Sequence, residues 1–301
     1  MKNLLYVVLF LTFTLSSQGK EIAISFDDCP SGSSHFQSGE ERTRKLIEGL
    51  NESGVKQAIF FCNSRRVVEG GTNKKRLIQL SDAGHIVGNH THSHLNLDVV
   101  GSELFIEDIK LAEKHLKSIP RYQKFFRYPY LNSGKTLKER AEVLAALNQM
   151  GYRHGYVTVD NYDWYMDSLF RDALREKKKI DYKKLGEFYV KYLIESVEFY
   201  DEMALKVVGK SPKHVLLLHE NDLASLYIKD FIMALKAKGW RVIPAEDAYT
   251  DEFTIPDPEI VMGQSRIVRV AKAKGYQGKL KHELENEVSW FGLLEKLKII
   301  K

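Results

Sequence analysis

Two histidines four residues apart, in His90-Thr91-His92-Ser93-His94, are the first residues of this chain whose type and spacing could do chemistry. One helical turn would set the imidazoles of His90 and His94 on the same face, a geometry suited to two nitrogen ligands on one metal ion. His92 would point elsewhere, to a hydrogen-bond partner or to solvent. Asp27 and Asp28 stand side by side after the apolar run Glu21 to Phe26. Adjacent carboxylates at a strand end point in different directions and can take different roles. One can complete a His-His-Asp metal triad that leaves room for water and substrate, while the other acts as general base.

Arg127 lies in Phe126-Arg127-Tyr128-Pro129-Tyr130, and Asp163 in Val159-Asp160-Asn161-Tyr162-Asp163-Trp164. An Arg127–Asp163 ion pair is expected, steering a carboxylate or neutralising local charge. Tyr130 and Trp164 suit a groove for sugar rings, whose C–H faces pack on aromatics. His219 follows Val215 to Leu218, and a histidine there can pass a proton to a leaving group near neutral pH.

The elements that must position these residues alternate along the chain. Strands are expected at Glu21–Phe26, Gln57–Cys62, His85–Gly88, Lys124–Phe126, Tyr156–Val159, His214–Leu218 and Trp240–Pro244. Helices are expected at Glu40–Asn51, Lys74–Ala83, Phe105–Leu116, Glu139–Met150, Tyr182–Val208 and Ile228–Lys238. This alternation reads as α/β with parallel strands, open or closed as a barrel. Functional loops in such folds lie at the carboxyl ends of strands, where the residues above fall.

Composition narrows the class further. The 301 residues are 44% apolar and 28% charged with a net charge of +5, which fits a globular chain and excludes wholesale disorder. That mild basic excess is too weak to imply nucleic acid, and none is expected as a partner. Two cysteines exclude a disulfide-rich scaffold and an all-cysteine zinc site. They follow the first two strands; two free thiols are expected over a Cys29–Cys62 bridge, with Cys62 buried.

Residues 1–19 read as an export leader: Lys2, an apolar run from Leu4 to Leu15, then Ser17 and Gly19 before the cut. The run is too short for a comfortable membrane span, so no stable membrane insertion is expected once the leader is cleaved. The mature chain is expected outside the cytoplasm, periplasmic or secreted. Residues 20–255 would form the catalytic domain. Residues 256–301 would form a C-terminal extension, read as solvated because Arg266 to Lys281 holds six basic residues and no acidic one.

The ordered set SFDDCP, HTHSH, FRYPY, DNYDW and LLLH resembles the five motifs of the polysaccharide deacetylase family, also called carbohydrate esterase family 4. The resemblance covers roughly Glu21 to Thr250. It implies a distorted (β/α) barrel and a hydrolase that removes acetyl groups from sugars with a divalent metal, expected to be zinc. Position by position it implies Asp27 as catalytic base, with Asp28, His90 and His94 as metal ligands. It implies Arg127 and a partner acid, Asp163 before Asp160, to set up the base. Tyr130 matches the position whose backbone N–H binds the oxyanion, Trp164 the groove aromatic, Leu217 the acetyl pocket and His219 the general acid. Cys29 stands where the family has Gly, and Glu220 where it has Asp. Those departures bear on substrate fit and on the partner that orients His219. The implied substrate is an acetylated glycan: peptidoglycan, a chitin oligomer or an exopolysaccharide. The competing readings are a non-catalytic glycan-binding relative and a hydrolase of a non-sugar C–N bond on the same scaffold.

Overall fold

The computed structural model describes residues 19–68, 71–250 and 259–301. The expected leader falls outside them except for Gly19. Seven parallel strands form one sheet: β1 (Glu21–Cys29), β2 (Ile59–Cys62), β3 (Ile86–Asn89), β4 (Tyr122–Phe126), β5 (Arg153–His154), β6 (Lys213–His219) and β7 (Arg241–Val242). Their order is β5-β4-β3-β2-β1-β6, and β7 pairs with the first two residues of β1. Helices fill the crossovers, as parallel pairing requires.

Alternate residues of β1 serve two cores. Ile22, Ile24 and Phe26 pack with Leu216, Leu218 and the long helix Tyr182–Val208. Ala23 packs with Ile59, Phe61, Phe125 and Val215 on the other face. A parallel strand covered on both faces reads as a continuous apolar run, which is why β1 and β6 stand out in the sequence. Ser25 and Asp27 share the face of Ala23 through the period of two.

The sheet curls almost into a closed barrel. Val159 bridges Leu216, the Val159 N–H donates to the Val215 carbonyl at 3.1 Å, and the Leu217 N–H donates to the Val159 carbonyl at 3.0 Å. The α/β distorted-barrel expectation therefore holds. The strand expected at Tyr156–Val159 is reduced to this bridge. The Thr158 hydroxyl accepts the Val215 N–H at 2.7 Å, so a side chain takes the place of a ladder acceptor.

Two further expectations are corrected. The C-terminal segment is not a solvated one: Ile267, Val268, Val270 and Ala271 of the helix Arg266–Ala273 are buried in the larger core, joined by Trp290, Leu294 and Ile299. The basic residues concealed an apolar face on that helix. The cysteines are not free thiols either, since Cys29 and Cys62 form a disulfide. Paired register on β1 and β2 brings their Cα atoms to 4.4 Å, within the span a disulfide bridges. No helix among the described residues is long and apolar enough to cross a membrane.

The bridge closes a loop with a sequence separation of 33 between its ends. Cys62→Ser should therefore lower unfolding stability by about 2–4 kcal/mol. Denaturant titration of oxidised wild type against the variant measures this, and equal midpoints with equal slopes would show that the bridge contributes nothing.

Candidate active site

The carboxyl ends of β1, β3, β4 and β6 deliver the site. On β1 the pleat carries Asp27 to the face of Ser25, while Asp28 takes a left-handed φ of 60° and turns its side chain away. The adjacent aspartates diverge, as the sequence suggested. Three cavities of about 390, 360 and 310 Å³ meet at Asp28.

His90 and His94 do not lie on a helix. They flank a turn in which Thr91 and His94 have φ of 68° and 55°. Asn89 shapes it by accepting the Thr91 N–H at 2.8 Å, and Thr91 Oγ1 accepts the His94 N–H at 3.0 Å. The rings still converge, with centroids 5.0 Å apart. The His90 Nδ1–H donates to the Arg127 carbonyl at 2.9 Å, which leaves the Nε2 lone pair facing the site. Asp28 Oδ1 lies 3.1 Å from His94 Nε2 and 3.7 Å from His90 Nε2. One ligand atom from each of the three residues lies within 4.8 Å of the others, and Asp28 Oδ1 is buried with no hydrogen-bond partner among the described residues. A carboxylate and two imidazoles so placed fit one divalent cation. Burial would raise the Asp28 carboxyl, but the charges of His94, His219 and His90 outweigh it and hold the group below its usual range. Burial, then the charge of His90, pushes His94 down to about 4, so its ring is neutral as a metal ligand must be.

Arg127 is buried, and its partner is Asp27 itself. Its Nη1 donates to Asp27 Oδ1 at 2.7 Å and to Ser25 Oγ at 2.9 Å, Nε to the Gly155 carbonyl at 2.7 Å, and Nη2 to the Tyr249 hydroxyl at 3.0 Å. Its guanidinium lies over the Phe61 ring at 4.0 Å. The expected Arg127–Asp163 pair is thus corrected, and Asp160 does not take that place. Arg127 reaches along the sheet face that Ser25 and Asp27 share, whereas Asp163 opens the helix Asp163–Arg175 beside β6.

Asp163 holds His219. Its Oδ1 accepts from His219 Nδ1 at 2.7 Å, and its Oδ2 accepts from the His219 N–H at 2.8 Å and from Asn221 Nδ2 at 2.9 Å. Burial alone would lower His219, but the Asp163 carboxylate overrides it and lifts the imidazole to about 10. Glu220 is not the orienting group. It is buried in a separate network, accepting from Arg76, Thr43 and the Ser31 N–H. Burial pushes Asp160, on the wall of the largest of these cavities, up to about 6. Leu217 and Tyr130 line the same cavity, and the Tyr130 ring packs edge-on against His94 with centroids 4.6 Å apart. Trp164 is half-exposed at its rim. His92 stays out of the Asp28-His90-His94 cluster; it pairs with Ser64 Oγ at 2.7 Å and lines the smallest of the three cavities. Ser25, Asn89, Gly155 and Tyr249, which support these groups, carried no sequence signal: each is a common residue whose role depends on what the fold brings beside it.

Residues 15–155 match the family model described as polysaccharide deacetylase. Over those residues the chain is similar to the polysaccharide deacetylase family. It is 31% identical over 145 residues to a peptidoglycan-N-acetylglucosamine deacetylase of Bacillus cereus, a match covering 48% of this chain and 46% of that protein. It is 25% identical over 236 residues to a chitin deacetylase of Colletotrichum lindemuthianum, covering 76% of this chain and 79% of that one. The chain thus spans about half the length of the first relative and most of the second. Its fold is that of a family 4 carbohydrate esterase from Streptomyces lividans (TM-score 0.52, 19% identity, 76% of this chain and 95% of that chain). It is also that of a family 4 pseudoenzyme from Bacillus anthracis (TM-score 0.54, 17% identity, 77% and 66%).

The Asp163–His219 pair has a pH signature in the metal-free protein. A folded pKa raised above the ordinary 6.5 gives a contribution that is full below pH 6.5 and is lost as pH rises toward 10. Asp163→Asn should bring His219 back toward 6.5 and abolish that decline in stability. NMR titration of the His219 ring alongside melting curves tests this; an unshifted ring in the variant would remove Asp163 as the cause.

Proposed function

We propose that this protein is an exported, metal-dependent hydrolase that removes acetyl groups from a polysaccharide containing N-acetylglucosamine or another acetylated sugar. The observation that carries the reading is the meeting of three units in one cavity: the Asp28-His90-His94 cluster, the Asp27–Arg127 pair and the Asp163–His219 pair. A pseudoenzyme shares the fold, so the fold alone does not imply turnover. This chain keeps a candidate for every working group, which argues against a purely glycan-binding role.

A divalent cation on Asp28, His90 and His94, for which zinc is the proposed ion, would polarise the acetyl carbonyl and activate water. Asp27, aimed by Arg127, accepts the proton as the water oxygen bonds to the carbonyl carbon. The Tyr130 backbone N–H is the proposed donor to the oxyanion, and Leu217 the proposed wall for the acetyl methyl. When the C–N or C–O bond breaks, the electron pair leaves with the sugar nitrogen or oxygen. His219 gives that atom its proton, and acetate is released. Its proton is held by Asp163. Trp164 supplies the apolar face for a sugar ring. The relatives named for peptidoglycan and chitin support a polymeric N-acetylglucosamine substrate, and an apolar leader before Gly19 supports delivery to it outside the cytoplasm.

Acetate release over peptidoglycan, chitooligosaccharide and acetyl-xylan tests the reading, and silence on every substrate by metal-loaded protein would overturn it. Asp27→Asn should keep its metal and lose about 10²–10⁴-fold in activity. Asp28→Asn and His94→Ala should lose metal and activity together. Metal content measured beside acetate release decides the division of labour, which fails if Asp27→Asn sheds metal as readily as Asp28→Asn.

A further inference from the structure

One wall of the cavity around Asp27, Asp28 and His219 comes from beyond the family-matched residues. Gly263, Gln264 and His282 line it. Gln264 Oε1 and His282 Nδ1 are buried and have no hydrogen-bond partner among the described residues. Such atoms are uncommon in folded proteins, because burial strips their water without replacing it. Both residues line the cavity that holds the proposed reacting groups.

The wall is firmly placed. A Cβ on Gly263 would stand 2.9 Å from the Tyr130 carbonyl oxygen, so only glycine lets this backbone lie against the Tyr130 loop. Three residues on, the Arg266 N–H donates to the Val157 carbonyl at 2.7 Å. His282 belongs to the helix Lys281–Asn286 and shares a face with Glu285 and Asn286, three and four positions later. Glu285 accepts from the Tyr192 hydroxyl at 2.5 Å, and that hydroxyl accepts the Tyr162 N–H at 2.6 Å. Asn286 Oδ1 accepts from the Tyr162 hydroxyl at 2.8 Å. Tyr162 directly precedes Asp163 and Trp164, so His282 is tied to the loop that orients His219.

We propose that Gln264 and His282 are substrate-recognition residues, which bind the hydroxyl or amide groups of a glycan unit seated against Trp164. The proposal rests on the glycan reading above and extends it: selection of the sugar belongs to the C-terminal segment, while the acetyl chemistry belongs to the strand ends. Gln264 Oε1 accepts from a sugar O–H or N–H. His282 Nδ1 donates or accepts according to tautomer, and a hydroxyl can answer either way. An apolar ligand would leave both atoms unmet, whereas a sugar unit satisfies them and packs its C–H face on the half-exposed Trp164.

The test uses the full-length, metal-loaded chain carrying Asp27→Asn, so that a tetramer of N-acetylglucosamine binds without turnover, read by calorimetry. Adding Gln264→Leu or His282→Ala should each weaken binding about five- to tenfold, the scale of one lost hydrogen bond. His282→Gln should recover part of the loss. In the active chain the same substitutions should raise KM by a like factor and move kcat less. Melting temperature and metal content should hold in all variants, and if one fails to fold, the other two still decide. Unchanged affinity in every folded variant among Gln264→Leu and His282→Ala would overturn the proposal while the glycan reading stands. No tetramer binding by the parent, with no acetate release by the wild type, would overturn the glycan reading and the proposal with it.

Discussion

A buried guanidinium must find an acceptor for each N–H it takes from water, and Arg127 meets that demand by gathering three parts of the chain. Ser25 and Asp27 come from β1, the Gly155 carbonyl from the end of β5, and the Tyr249 hydroxyl from beyond β7. Its own carbonyl fixes the tautomer of His90. One residue therefore sets the direction of the proposed base, the lone pair of one proposed ligand and the mouth of the curled sheet. A carboxylate buried alone in the place of Asp27 would be costly; beside Arg127 it has an ion-pair partner at 2.7 Å.

Backbone strain collects around the same place. Asp28, Thr91, His94 and Tyr130 all have left-handed φ without being glycine, a conformation that costs roughly 1–2 kcal/mol per residue. Each is over-determined by its neighbours. Asp28 lies between the last sheet pairings of β1 and the disulfide, Thr91 and His94 are held by Asn89 and by each other, and Tyr130 is backed by Gly263. Strain held this way lets two adjacent aspartates point in different directions and lets two histidines four apart converge without a helix.

Much of this was legible in the residues. Apolar runs gave β1, β2 and β6 because strands buried on both faces have no polar alternation to hide them, and the helix Tyr182–Val208 was read at its observed bounds. The aspartate pair and the histidine pair were recognisable because their chemistry is local. What escaped depended on the third dimension. The Arg127 partner was misread because sequence order says nothing about which sheet face a long side chain crosses. The His90–His94 spacing suggested a helix, but hydrogen bonds from Asn89 and Thr91 favour a turn. The disulfide followed from register, which two cysteines cannot reveal. The apolar face of Arg266–Ala273 was masked by a count of its charges.

The parts of the pocket lie far apart along the chain, from Asp27 at the end of the first strand to His282 near the carboxyl terminus. A nascent polypeptide emerging in order would have its candidate metal cluster assembled from residues up to His94, but no His219 and no wall from Gln264 and His282. The groove is complete only after the final segment has docked on the core. A chain that stops before these residues would keep Asp28, His90 and His94 and lack His219, Gln264 and His282.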